Sequence, residues 1–155
     1  MNDYFQTISE LIEYEIWCNV QAMQFLERLT PRELGRDFGF GLRTLHQTMF
    51  HIANVMRTWS LQVKPELERV EPLGYNKNAS LQDIRLLLEE VGAAWLSAAR
   101  ASSDLGILDS GRRLHQVFHL VTHGTHHRGQ VLSMATILGY DQPFEGGDFG
   151  GWSNQ

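Results

Sequence analysis

Leu114-His-Gln-Val-Phe-His-Leu-Val-Thr-His-Gly-Thr-His-His-Arg-Gly-Gln130 carries five of the seven histidines in this 155-residue chain. An α-helix turns about 100° per residue, so each position takes an angle around the axis. With Arg112 at zero, Leu114, Val117, Val121, Val131, Leu132 and Ala135 cluster at roughly 100–200°, an apolar stripe that predicts an amphipathic helix. His127 falls at about 60° and His123 at about 20°, on the edge of that stripe. His119, His126 and His115 lie further round, at about 340°, 320° and 300°, on the polar face with Thr122 and Ser133. The i,i+4 spacing sets His123 and His127 one turn apart on one side, near enough to share a metal ion. Two amphipathic side chains with wet tips are the plainer account of the same pair.

The same segment contains two further departures from a plain amphipathic helix. Arg128, at about 160°, points into the apolar stripe, where a guanidinium keeps its proton and needs an acceptor. Glu13, Glu15 or a helix-end carbonyl are the candidates, in a structural ion pair rather than a catalytic role. Gly124 and Gly129 each cost about 1 kcal/mol relative to alanine inside a helix, which close approach by a neighbouring helix or ligand would explain. Gln130, at about 0°, is placed to touch a substrate or to orient a ligand histidine.

Working outward, this helix is expected over 111–138, stopping at Gly139, a natural C′ residue. Three other stretches carry a helical period, near 7–29, 43–62 and 80–102, the last opening on Ser80 with Asp83 three residues on. Thr30-Pro31-Arg32-Glu33 closes the first and can open a short turn. No segment alternates with period two for long enough to predict a strand. The expectation is therefore all-α: one four-helix bundle over residues 1–155. The connection from Val63 to Ala79 is long for a bundle and holds two prolines. From about residue 140 the chain is glycine-rich, yet Phe144, Phe149 and Trp152 predict that it folds back over the bundle.

Composition narrows the partners. The net charge is −5, and Arg112-Arg113 is the sole adjacent basic pair, so a nucleic-acid partner is not expected. No apolar run reaches membrane-spanning length, and the first residues lack the basic and apolar regions of a secretory signal, so a cytoplasmic location is expected. Cys18 is the lone cysteine, which excludes an intrachain disulfide; nothing places a base beside it, and a small buried apolar role is expected.

A third metal ligand has to come from another helix. Around 43–62, Leu45, Met49, Ile52, Met56 and Trp59 make the core stripe. His51 lies on one border of it, with Thr44, Thr48 and Val55, and His46 lies near the other. Periodicity does not choose between them.

These residues resemble the DinB/YfiT-like superfamily of small metal-binding four-helix bundles. Val121-Thr-His-Gly-Thr-His-His-Arg-Gly-Gln-Val131 is similar to the family's H-x-x-x-H-R-G-Q signature. Arg43-Thr-Leu-His-Gln-Thr-Met-Phe-His-Ile-Ala-Asn-Val-Met-Arg-Thr-Trp59 is similar to its T-L-x-H-I followed by an aromatic residue, and Tyr14-Glu-Ile-Trp-Cys-Asn19 to its Y-x-x-W-x-N segment. The resemblance covers nearly the whole chain and implies an up-down-down-up or related bundle, with a metal triad of His51, His123 and His127. It departs at Met56, where the family usually has an acidic residue, and in the glycine-rich end. The resemblance also implies one divalent ion, zinc or nickel first, iron or manganese as alternatives, and a homodimer. Imidazole ligands as such suit zinc, nickel, iron or copper. The implied function is a metal-dependent enzyme that activates a low-molecular-weight thiol or water against a small-molecule substrate, of S-transferase type. A non-enzymatic metal-binding stress protein and a metal-dependent hydrolase are the alternatives.

Overall fold

Thr44, Ser80 and Gly139 set helix ends by local chemistry. Thr44 Oγ1 accepts a hydrogen bond from the Gln47 amide at 3.0 Å. The Asp83 amide donates to Ser80 Oγ at 3.1 Å, while the Ser80 amide donates back to the Asp83 carboxylate at 2.8 Å, a reciprocal capping box. At the other end of the chain Gly139 takes φ +94°, and the Gly139 and Tyr140 amides donate to the Thr136 and Ala135 carbonyls. That is the Schellman closure expected of a C′ glycine.

The structure, a computed structural model, describes residues 3–61, 79–105, 111–144 and Trp152. Residues 62–78 of the second connection and 145–151 of the tail, Phe149 among them, lie outside the described residues, as do the side chains of Arg112 and Arg113. The helices are α1 Asp3–Leu26, α2 Pro31–Leu34, α3 Leu45–Ser60, α4 Leu81–Leu105 and α5 Gly111–Ile137. Among the described residues there is no strand. The turn expected after α1 is the short α2, capped by Thr30 and Glu33. Among the described residues no helix is long and apolar enough to cross a membrane.

The four long helices form a ring in the order α1, α4, α3, α5. Side-chain pairs fix their directions. Arg85 of α4 binds Glu27 just beyond α1 at 2.6 Å, and Arg100 binds Glu13 at 3.3 Å, so α1 and α4 run antiparallel. Trp59 packs on His119 and His51 on His127, both with ring centroids 4.7 Å apart, so α3 and α5 are also antiparallel. Glu15 meets Arg128, and Phe25 meets Tyr140 just beyond α5, which makes α1 and α5 parallel. The topology is up-down-down-up, one of the arrangements that the resemblance implies.

The core runs the length of this ring. Phe25, Met49, Ile52, Ile84, Trp95 and Met134 are among its fully buried side chains, and each burial of that size contributes about 1.5–3 kcal/mol. The start of the tail docks on α1: Phe144 lies 6.0 Å from Phe25, and Arg28 donates to the Pro143 carbonyl at 3.2 Å. Trp152 packs edge-on against Tyr14 at 6.1 Å, so the chain does return to the bundle near its end.

Candidate metal centre

The α3–α5 seam gathers the histidines. His51 points from α3 toward α5, where His123 and His127 stand one turn apart. One ligand nitrogen from each lies within 4.8 Å of the other two. Ring centroids are separated by 4.9 Å (His51–His123), 4.7 Å (His51–His127) and 4.4 Å (His123–His127). All three side chains are half-buried. Nε2 of His51 and Nε2 of His123 face each other at 3.0 Å. His127 Nδ1 donates to Gln130 Oε1 at 3.0 Å, which leaves its Nε2 as the nitrogen available to an ion.

Electrostatics favour the neutral form of each ring. Burial, and then the neighbouring His127, His51, His119 and His126, push His123 down to about 4. Burial also lowers His51, with His127 adding to it. In His127 burial lowers the pKa, the Gln130 hydrogen bond opposes, and His126 lowers it further. Neutral imidazoles offer lone pairs, the form a metal requires. Three nitrogen donors converging on a half-buried seam therefore fit a divalent cation, and the described residues add no carboxylate to the group.

The other histidines separate from this group. His46, which periodicity could not distinguish from His51, turns the other way: its Nε2 lies 2.7 Å from the Ala79 carbonyl. His115 and His126 are exposed, as expected of the polar face. His119 is not on that face. It is half-buried, stacked on Trp59 and 5.4 Å from the His123 ring. The buried arc of α5 is rotated from the predicted one. Gln116 and Met134, at about 40°, and Leu120, at about 80°, are buried, whereas Leu114, Val121 and Leu132, at about 180–200°, are only partly so. The signal missed was Gln116, a polar residue inside the core arc, which a stripe drawn through apolar residues passes over.

Behind the triad, Arg128 is fully buried and paired with Glu15, the middle one of its three candidates. Its Nη1 and Nη2 donate to the two Glu15 oxygens at 2.7 and 2.8 Å, and Nη1 also donates to Asn19 Oδ1 at 2.9 Å. Asn19 Nδ2 in turn donates to Glu15 Oε1 at 3.1 Å and to Met56 Sδ at 3.3 Å. Burial alone would lower the Arg128 pKa, but the Glu15 carboxylate beside it raises it overall, so the guanidinium stays charged. Met56, at the position where an acidic residue is usual, thus serves as a buried sulfur acceptor within this network.

The two helical glycines part company. A Cβ on Gly124 would lie 2.0 Å from Glu15 Oε1, so the ion pair itself requires glycine there. A Cβ on Gly129 would meet nothing within 4 Å, so close approach does not explain that residue. Cys18 is fully buried beside Tyr14, and burial raises its thiol, in line with an inert core role.

The DinB family model matches residues 1–147. No curated protein matches the sequence.

Proposed function

The chain belongs to the DinB family, and from that premise we propose that His51, His123 and His127 hold one divalent metal ion, zinc or nickel first, with iron or manganese as alternatives. The observation that supports this most directly is the convergence of three neutral, half-buried imidazoles from two helices on one point. A site of three protein ligands leaves a coordination position open, the arrangement of catalytic rather than closed structural centres.

We further propose that the centre serves a small-molecule reaction in which a low-molecular-weight thiol attacks an electrophile. A divalent ion held by imidazoles supplies a Lewis acid that lowers the pKa of a thiol or a water at the site. This chain's own residues do the rest. His51, His123 and His127 present lone pairs because burial keeps them unprotonated at neutral pH. Trp59 and His119 form an aromatic wall one turn along the same seam, next to His123. Arg128 is committed to Glu15 and Asn19 of α1.

The test begins with elemental analysis of protein purified without a histidine tag. Alanine at His51, His123 or His127 is expected to abolish stoichiometric metal, while His46→Ala and His115→Ala retain it. Equal loss from His46→Ala would show that the ligand set is wrong. Loaded protein is then offered a panel of thiols with a model electrophile, and an activated ester in parallel. Thiol conjugation that disappears with the ion supports the transferase. Ester cleavage without conjugation supports a hydrolase, and neither activity supports a metal-binding protein that is not an enzyme.

A further inference from the structure

Gln130 lies between two histidines of different standing. Its Oε1 is 3.0 Å from Nδ1 of His127, inside the triad, and its Nε2 is 3.1 Å from Nε2 of His126, outside it and exposed. The carboxamide has one acceptor end and one donor end. If the donor end faces His126, the acceptor end must face His127, and that ring must carry its proton on Nδ1. The loop before α3 closes over the same amide. Gly41, at φ +54°, leaves room where a Cβ would lie 2.7 Å from Oε1, 2.8 Å from Cδ and 3.1 Å from Nε2 of Gln130. That loop is itself tied: Arg43 is ion-paired to Asp37, and the Phe38 amide donates to the Arg43 carbonyl at 2.8 Å.

We propose that Gln130 is a positioning residue that selects the Nδ1–H tautomer of His127 and aims its Nε2 into the triad, with Gly41 and His126 holding the carboxamide in register. The metal consequence rests on the reading that the triad binds an ion; the tautomer does not. A ligand imidazole whose other nitrogen is hydrogen-bonded is both oriented and more basic, and losing such a partner typically weakens metal binding roughly 10–100-fold. Gly41→Ala acts on the same amide without removing a polar group. The added methyl meets the far end of a flexible side chain, which moves aside and leaves His127, and at φ +54° it also strains the loop backbone.

The experiment uses full-length protein and two readouts. In metal-free protein, long-range ¹H–¹⁵N NMR of the histidine rings is expected to show His127 as Nδ1–H in the wild type. In Gln130→Leu and in Gly41→Ala, Nε2–H should be substantially populated. Zinc titration with a competing chelator should show affinity falling roughly 10–100-fold in both variants. Gln130→Glu, which keeps an acceptor against Nδ1–H, should recover most of it. A His127 tautomer unchanged by Gln130→Leu overturns the proposal, and so does full zinc affinity in that variant. If the wild type binds no zinc, cobalt or nickel, the metal reading fails, and the NMR comparison still decides the role of Gln130. Should Gln130→Leu fail to fold, the Gly41→Ala and Gln130→Glu pair carries the same comparison.

Discussion

His123 is the most strongly perturbed group of the seam, at about 4 against an ordinary imidazole value of about 6.5. Between those values the unfolded chain takes up a proton that the folded, metal-free site refuses. Stability should therefore be full above about pH 6.5 and fall as pH drops toward 4, by roughly 1–2 kcal/mol after allowing for the ring's partial exposure. Thermal unfolding of metal-free protein at pH 7, 5.5 and 4.5 should show this slope, and His123→Ala should flatten it. A pH-independent midpoint in the wild type would contradict the burial argument. The same depression means protons displace an ion from His123 only in more acidic solution than an isolated imidazole would need. At this scale the histidine pair on α5 was legible because i,i+4 spacing is a property of the sequence. Choosing His51 over His46 was not legible from periodicity, because each sits on a border of the α3 stripe; the resemblance of the 43–59 segment made that choice, and in the fold it is His51 that stands beside His123 and His127.

Helix ends were read nearly correctly from Ser80, Asp83, Thr30 and Gly139, since caps are satisfied within a few residues of chain. Ser80→Ala should accordingly cost about 1 kcal/mol, measured by urea unfolding, with no change in metal content. The face α5 buries was read less well. Packing is decided by the partner helices, so the buried arc takes in Gln116 and Met134 and leaves Leu114, Val121 and Leu132 partly exposed, while α1 brings Glu15 and Asn19 to Arg128 in a polar network inside that arc. Breaking that network by Gly124→Ala or Glu15→Gln leaves a guanidinium in the core without its full complement, and should destabilise by about 3–5 kcal/mol. Gly129→Ala is the control: its Cβ enters open space, and replacing a helical glycine there should stabilise by up to about 1 kcal/mol. Thermal midpoints of the three variants should fall on opposite sides of the wild type.

Across the whole molecule, the up-down-down-up order follows from which helices face each other. That order, or a related one, is what the resemblance implies, whereas the ring order needs the cross-helix pairs. Because the triad joins α3 to α5, an ion bound there favours the folded state by about 2.7 kcal/mol at a hundredfold excess over its dissociation constant. Wild-type protein should thus melt several degrees higher with zinc than without, and His51→Ala should show no such difference. A zinc-induced rise that survives His51→Ala would place the ion elsewhere.

Gly124 touches Glu15 so closely that α5 fits against α1 like a splined shaft in its hub. Sliding α5 by one residue would turn it through about 100° and carry His123 and His127 away from His51. Arg128 and Glu15 can engage in one rotational setting, and that setting is the one that aligns the two imidazoles. The buried pair is thus an indexing device: it converts the axial phase of one helix into the aim of the imidazoles on its other flank. A single-residue insertion between His127 and Arg128 forces a choice between the two alignments. The same insertion beyond Gly139 leaves both undisturbed.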